Sequence, residues 1–281
     1  MEICADPSAL DGFDWWACYL TTPKHVSFYR SFGTVLLLLA LAAPMILALG
    51  MLGALARRSR IAPVRWLGGI YTAMVRGVPD IVFFLFAPIA IDQALEYVRH
   101  KTLCPEVTAP VRQGADFIVC AAAKLPASTA PQSAHDAYGF ILALAAFTVV
   151  FGAFAANIIH GALGAVPKGQ LEAGQAVGMS ARQVFRRIQM PQMWRFALPG
   201  LSNLWMILIK ATPLLFLLGV EDIVYWAKEL GGAKTSRYDY PHGDWRLGYF
   251  LALLTFYLLL TWISERVFAR MNLRFAAGVA R

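Results

Sequence analysis

Five long apolar segments separated by polar and basic stretches dominate the chain. They cover roughly 28–56, 66–90, 137–161, 198–220 and 246–268. Residues 32–56 carry no charged side chain, and a helix of that length crosses about 30 Å of hydrocarbon. Because backbone groups in lipid must be satisfied internally, each segment is predicted to be a spanning α-helix. The sequence therefore predicts an all-α integral membrane protein with about five transmembrane helices.

Basic residues gather at one end of these segments. They follow the first segment, fill the polar stretch between the third and fourth, and follow the fifth. Most acidic residues lie in 1–27, 92–136 and 221–245. The positive-inside rule places the N-terminus outside and the C-terminus inside. We expect a periplasmic or interfacial arm (1–27), a transmembrane domain (28–270) with an outer insertion (92–136) and a cytoplasmic loop (162–197), and a cytoplasmic tail (271–281).

Composition and charge narrow the functional classes. The 281 residues are 58% hydrophobic and 15% charged, which is too apolar for an ordinary soluble domain. The net charge of +8 is explained by basic loops beside membrane helices, so no nucleic-acid partner is predicted. The first 16 residues contain acids and no Lys or Arg, unlike the basic start of a secretory signal peptide.

The polar stretch 164–199 has the pattern of two short helices joined by a turn. Good helix formers precede Gly178, and a glycine there permits a turn with positive φ. Ser180 is a suitable N-cap for the second helix, which is predicted to end before Pro191 and to expose Arg182 on its polar face. Two such helices would form a rigid knob on the cytoplasmic side.

The same stretch resembles the EAA loop of permease subunits of ATP-binding-cassette (ABC) importers. Glu172-Ala173-Gly174 is followed at the family spacing by Gly178, Ile188 and Pro191. The resemblance implies the type I importer permease fold and a knob that fits a groove on a separate ATPase. Gly174 departs from the usual Ala but keeps the small volume. The implied ATPase-coupling residues are Lys168, Gly169, Glu172, Ala173, Gly174, Gly178, Arg182 and Pro191. A generic amphipathic interfacial helix is the alternative interpretation.

Other stretches resemble the polar amino acid branch of that family. Residues 76–80 read R-G-V-P-D, as in histidine/lysine/arginine/ornithine importers, and 210–212 read K-A-T. Relatives tend to carry Glu where Asn157 stands and Arg where His160 stands. The expected translocation-path residues are Arg76, Asn157, Asn203, Lys210 and Thr212, with packing or gating as the alternative. Gly77, Pro79 and Pro213 are expected to kink or pack the helices.

The resemblance also implies the rest of the machine. We expect a bacterial inner-membrane, multi-pass permease for a polar amino acid, basic amino acids or opines first. Its partners would be a cytoplasmic ABC ATPase dimer, a second permease copy or paralogue, a periplasmic solute-binding protein and the lipid bilayer. ATP and Mg²⁺ would bind the ATPase, since this chain has no phosphate-binding loop, no catalytic constellation and no cofactor of its own. An ATP-independent secondary transporter is the alternative.

All four cysteines fall on the predicted outer side, where disulfides can form. Three connectivities are open, and Cys104 with Cys120 is favoured because both lie in the insertion. No metal site is predicted, because the ligand spacing is wrong. A short helix over 114–124 is expected within the insertion.

Overall fold

A computed structural model describes residues 4, 6–7, 10–106, 111–113, 116–127 and 129–277. Five helical segments within those residues are long and apolar enough to cross a membrane. They are Pro23–Arg57, Ile81–Leu103, Gln132–Ala165, Ala181–Phe216 and Arg246–Arg274. The predicted all-α membrane architecture with five spans is confirmed, and an odd number of spans leaves the two ends of the chain on opposite sides.

The helices and strands follow one another in a simple order. They are α1 (Gly12–Leu20), α2 (Pro23–Arg57), α3 (Ala62–Gly77), α4 (Asp80–Leu103), β1 (Val111–Gln113), β2 (Asp116–Ile118), α5 (Gln132–Ala165), α6 (Lys168–Ala176), α7 (Ala181–Val184), α8 (Met190–Ala211), α9 (Ile223–Gly231) and α10 (Arg246–Ala277). Short 3₁₀ segments cover Ala121–Ala123 and Thr212–Leu218, and a π-helical turn, Phe185–Gln189, joins α7 to α8.

The chain forms two compact units. One comprises Met1–Ala40 with Leu208–Val267, and the other comprises Leu41–Ile207 with Phe268–Arg281. The first unit holds the N-terminal arm and α9. The second unit holds α3 to α7 and carries the predicted cytoplasmic loop.

Helix α5 is the centre of the second unit because small residues let its neighbours approach closely. A Cβ atom added to Gly50 of α2 would lie 2.6 Å from the Cβ of Ala155, and one added to Gly200 of α8 would lie 2.8 Å from Cγ2 of Ile158. Small residues at helix contacts are the usual solution in lipid, where apolar burial alone does not hold helices together. The α2 and α8 backbones therefore sit directly on α5.

Aromatic and polar side chains join α4 to α5. The Phe84 ring lies 4.7 Å from that of Phe147 and 5.8 Å from that of Phe151. Further along α4, Asp92 accepts a hydrogen bond of 2.6 Å from the Tyr138 hydroxyl. This bond directs the Asp92 carboxylate toward α5, which avoids the large cost of leaving it in lipid.

The structure corrects the second predicted span. Residues 66–90 do not form one helix, because Val78 and Pro79 adopt extended backbone conformations with ψ near 137°. A proline disfavours the α conformation at the residue before it, so α3 ends at Gly77 and α4 starts at Asp80. The apolar span is Ile81–Leu103, and α3 is a separate 16-residue helix ahead of it.

The insertion is also different from the expected short helix over 114–124. Its described part contains β1 and β2, paired antiparallel with Arg112 opposite Phe117, and then the 3₁₀ turn Ala121–Ala123. Side chains of α4 hold this turn. Arg99 donates to the carbonyl groups of Ala122 and Ala123, and Glu96 accepts from the Leu125 N–H at 3.1 Å.

Candidate coupling surface and pathway residues

The loop that carries the EAA-like pattern folds as two helices joined by a Schellman turn. Helix α6 ends at Ala176, and Gly178 has φ of +82°. The Gly178 N–H donates to the carbonyl oxygen of Gln175 at 2.9 Å, and the Met179 N–H donates to that of Gly174 at 3.1 Å. These two bonds satisfy carbonyl groups that the end of a helix leaves free. The predicted left-handed glycine turn is therefore present.

A capping box starts the second helix of the loop. The Ser180 hydroxyl accepts from the Gln183 N–H, and the Gln183 side chain accepts from the Ser180 N–H at 2.8 Å. This reciprocal pair satisfies two N–H groups at the helix start. The turn at Gly178 and the cap at Ser180 together fix the angle between α6 and α7.

Gly174 is the contact point between the two helices. It is buried, and an added Cβ atom would lie 2.5 Å from Cδ1 of Ile188 and 3.3 Å from Cγ2 of Val184. The small residue therefore admits the Ile188 side chain. This packing explains, in physical terms, why a small residue and an isoleucine belong at these two positions of the pattern.

The second helix does not end before Pro191, as the sequence suggested. It widens into the π-helical turn Phe185–Gln189 and continues as α8. Pro191 has no N–H to donate to the preceding turn, and a π-helical turn is one way in which a helix accommodates that loss. The knob is therefore continuous with the fourth candidate span.

Two further contacts attach the knob to the membrane part. The buried Gln189 side chain donates to the Leu163 carbonyl oxygen of α5 at 3.2 Å, and the Gln192 side chain donates to the Gln170 side chain. The loop is thus held to the end of α5 as well as to α8. A force applied at α6 would reach both helices without passing through a flexible linker.

The outward face of the knob is available for a partner. Glu172, Ala173, Val177 and Arg182 are exposed, and Val177 is 76% exposed. Lys168, Gly169 and Pro191 are exposed as well, whereas Gly174 is internal. We name the exposed set Glu172, Ala173, Val177 and Arg182 the coupling face.

Asn157 is fully engaged within the second unit. Its side-chain oxygen accepts from Nη1 of Arg57 at 2.7 Å, and its side-chain nitrogen donates to the Thr72 carbonyl oxygen at 3.3 Å. The amide therefore braces α2, α3 and α5 against one another. Its place in a translocation path stays a prediction, and Arg57 is a partner that sequence reasoning missed.

The pathway residues of α8 and the following 3₁₀ segment differ in exposure. Asn203 and Lys210 are exposed, whereas Thr212 is buried. The Thr212 hydroxyl donates to the Ile209 carbonyl oxygen and lies 2.9 Å from the Tyr257 hydroxyl. Pro213 stands in the first turn of the 3₁₀ segment, where α-helical hydrogen bonding stops. The helix is therefore unwound locally at Pro213, while the roles of these residues stay predictions.

Residues 76–80 break the chain between two helices. Arg76 and Gly77 end α3, and Pro79 immediately precedes α4. Within the described part of the chain, a Cβ atom added to Gly77 would meet no heavy atom of another segment within 4 Å. The Arg76 and Asp80 side chains lie outside the described part, so the predicted role of Arg76 stays a prediction.

The cysteines form two disulfides, Cys4 with Cys18 and Cys104 with Cys120. The second closes the insertion beside His100, whose Nδ1 accepts from the Cys120 N–H at 2.9 Å. Among the described residues, no group of three or more metal-ligating side chains comes together.

Asp222 is a buried acid that the sequence analysis did not select. Its Oδ1 atom accepts from the N–H groups of Val224 and Tyr225, which caps α9, and its Oδ2 atom is buried with no hydrogen-bond partner in the described chain. Burial raises the pKa of Asp222 to about 6, although the two backbone donors oppose the rise. The N-cap pattern, an Asp just before an apolar helix, was the signal available in the sequence.

The fold and the loop together define a class, the permease subunits of ABC importers. Comparison with known proteins gives the particular family: residues 46–276 match the family described as "Binding-protein-dependent transport system inner membrane component". The chain belongs to this family.

Curated relatives and solved structures agree with that assignment. The chain is 32% identical to the arginine ABC transporter permease protein ArtQ of Escherichia coli, over 81% of this chain and 86% of the relative. It is 32% identical to the histidine/lysine/arginine/ornithine transport system permease protein HisQ of Salmonella typhimurium, over 88% and 92%. It is 30% identical to the octopine transport system permease protein OccQ of Agrobacterium tumefaciens, over 84% of each chain.

Two solved structures share the fold. A crystal structure of an amino acid ABC transporter with histidines superposes with a TM-score of 0.61 at 19% identity, covering 91% of this chain and 98% of that one. An inward-facing methionine ABC transporter, MetNI, superposes with a TM-score of 0.54 at 12% identity, covering 89% and 94%. At these identities the likeness concerns the fold alone, and it supports the multi-pass helical architecture.

Proposed function

We propose that this chain is the permease subunit that carries a polar amino acid across a bacterial inner membrane, with basic amino acids and opines as the first candidates. Membership of the importer family supports this, as do relatives named for arginine, for histidine, lysine, arginine and ornithine, and for octopine. The observation that carries the proposal is the coupling face, which a rigid knob presents between the third and fourth candidate spans.

The proposed partners follow from what the chain has and lacks. A cytoplasmic ABC ATPase dimer would receive the coupling face and would bind ATP and Mg²⁺, so this chain would supply no catalytic residue and no cofactor. A second permease copy or paralogue would complete the pathway, because five spans do not comfortably enclose one. A periplasmic solute-binding protein would deliver the amino acid to the outer side.

The proposed mechanism uses the continuity of the knob with two spans. Movement of the ATPase would push α6, and the Gly174–Ile188 contact would pass that movement to α7 and hence to α8. The Gln189–Leu163 hydrogen bond would carry it to α5. Packed helices shift between discrete arrangements more readily than they deform, so a push at the knob would favour one orientation of the pathway.

Exposed polar groups and the unwound segment are the proposed solute contacts. Lys210 and Asn203 have exposed side chains, and the 3₁₀ segment Thr212–Leu218 departs from α-helical bonding at membrane depth. Carbonyl groups released from α-helical bonding can bind a ligand inside a membrane protein. Arg76 would line the pathway or pair with the solute carboxylate.

The test is ATP-driven uptake in proteoliposomes that contain the permease, its ATPase and its binding protein. Glu172→Lys reverses a charge on the coupling face, and Gly178→Asp places a side chain at positive φ. We expect each variant to insert normally yet to lose most ATP-dependent uptake. Glu265→Lys is the matched control, since this exposed glutamate of α10 lies outside the knob. Normal uptake and ATPase association in both knob variants would refute the coupling role.

A separate arm tests the alternative of secondary transport. The permease alone, reconstituted with an imposed ion gradient and no ATPase, should not accumulate labelled arginine. Accumulation under those conditions would overturn the proposal of ATP coupling.

A further inference from the structure

The N-terminal arm forms a short helix with two different faces. Helix α1 runs from Gly12 to Leu20, and after a turn at Thr21 and Thr22 the first candidate span begins at Pro23. Cys18 and Tyr19 are 5% and 4% exposed, whereas Phe13 is 84%, Trp16 47% and Leu20 41% exposed. The helix therefore buries one side against the protein and leaves large apolar side chains on another.

The buried face is held firmly by the rest of the first unit. The Tyr19 hydroxyl lies 3.2 Å from the Tyr249 hydroxyl and 3.1 Å from Nε2 of His242, and the Trp15 ring lies 5.5 Å from that of Tyr240. The Cys4–Cys18 disulfide joins the segment that precedes α1 to the same face. These contacts fix the rotation of α1 about its own axis, so its outer face has a defined direction.

The exposed face is a narrow and uncharged stripe. Phe13, Trp16 and Leu20 follow the i, i+3, i+7 pattern, which at 100° per residue places them within an arc of about 60°. Asp14 projects about 100° from Phe13 by the same count, outside the stripe. We name Phe13, Trp16 and Leu20 the outer stripe.

The outer stripe is continuous with the exposed surface of the first span. The Tyr29 hydroxyl of α2 donates to the Leu20 carbonyl oxygen at 3.1 Å, and the Tyr29 side chain is itself 49% exposed. Val26, Leu36 and Leu37 continue a line of exposed apolar residues along α2. Lys24 and Arg30 are also exposed on this first part of α2, at the level where cationic side chains can reach lipid headgroups. The exposed apolar surface of the span thus approaches the outer stripe through a region that carries two cations.

We propose that α1 lies along the outer surface of the membrane, with the outer stripe inserted at the boundary between headgroups and acyl chains. Phe13, Leu20 and the outer face of Trp16, whose other face stacks on Trp245 with ring centres 5.1 Å apart, would be unfavourable in water. Aromatic rings are enriched at the depth of the headgroups. Helices of this kind lie in the interface and bury one apolar face in it. The Tyr19 contacts with Tyr249 and His242 hold α1 in the orientation that this insertion requires, so the arm anchors the start of α2 at a fixed depth.

Spin labels on single cysteines test the depth of α1 directly. All four native cysteines are in disulfides, so one introduced cysteine provides one reactive thiol. Phe13→Cys, Trp16→Cys and Leu20→Cys probe the outer stripe, and Asp14→Cys is the matched control on the same helix. Each full-length variant is placed in nanodiscs of phosphatidylethanolamine and phosphatidylglycerol, and non-reducing peptide mapping verifies the native disulfides.

The readout is the collision rate of each label with oxygen, which concentrates in lipid, and with a water-soluble nickel complex. We expect the ratio of oxygen to nickel collisions to be at least about threefold higher at the three stripe positions than at Asp14, reflecting the partition of apolar groups into lipid. Nickel access at the stripe equal to that at Asp14 would show a helix in water and overturn the proposal. Protection from both reagents would show a protein partner on the stripe and would overturn it as well.

Discussion

Replacing Gly178 by alanine isolates the contribution of the Schellman turn to the coupling loop. Gly178 has φ of +82°, a conformation that costs an L-residue with a side chain about 1–2 kcal/mol. Among the described residues, none beyond the two chain neighbours places a heavy atom within 4 Å of the added Cβ atom, so a clash does not add to this cost. The whole cost should therefore fall on local opening of the turn, which corresponds to about a 5- to 30-fold change in the opening equilibrium.

Hydrogen exchange measured by mass spectrometry on the chain in nanodiscs reads this equilibrium. The amides of Gly178 and Met179 donate the two bonds of the turn. They should exchange about 5- to 30-fold faster in Gly178→Ala, because exchange follows local opening. Gly169→Ala is the control: Gly169 lies in α6 at negative φ with open space around its Cβ position, so alanine should leave exchange unchanged or slow it.

The opposite pattern would refute this reasoning. Wild-type exchange in Gly178→Ala would mean that the left-handed turn does not hold the end of α6. Faster exchange in Gly169→Ala of the same size would mean that any added methyl group loosens the loop. ATP-dependent uptake measured on the same variants shows whether loss of the fixed angle between α6 and α7 is accompanied by loss of coupling.

Three further predictions concern the rest of the chain. Asn157→Ala removes the oxygen that accepts the hydrogen bond from Arg57 and should lower the stability of the protein by about 1–3 kcal/mol. Asn157→Asp keeps an acceptor and should retain most of the wild-type stability. Thermal unfolding in detergent compares the two variants with the wild type. The pKa of Asp222 is raised to about 6 in the folded protein, so ionisation of this carboxyl group lowers the free energy of unfolding. The loss is absent below about pH 4, grows as the pH rises to about 6 and reaches about 3 kcal/mol. The melting temperature of the wild type should therefore fall across this window, and Asp222→Asn should make it nearly constant. The double variant Cys104→Ser, Cys120→Ser removes the cross-link between two residues 16 positions apart and should lower the stability of the insertion by about 3 kcal/mol. Limited proteolysis should cut the insertion faster in this variant, and an unchanged rate would contradict a stabilising role of the disulfide.

Local sequence chemistry was sufficient for much of the coupling loop. The glycine turn at 178 and the Ser180 cap depend on residues a few positions apart, and the structure contains both. The end of the second helix at Pro191 was wrong, because a proline can be accommodated by a π-helical turn and nothing in the local pattern distinguishes that outcome from a stop.

Long-range contacts lay beyond the sequence. The partner of Asn157, Arg57, stands 100 residues away in the sequence and meets it only through the packing of α2 on α5, so local sequence could not reveal this hydrogen bond. Asp222 was passed over for the same reason, since an acid before a helix gives no sign of whether it will be buried.

The sequence by itself determined the number of spans, their order and the family, because bilayer thickness sets the length of an apolar segment and the motif is local. Tertiary structure decided where the second span begins, which polar groups are already paired, and which face of the arm is left exposed. Those outcomes depend on which distant surfaces pack together. For that reason the outer stripe of α1 became visible only when the opposite face of α1 was seen to be buried.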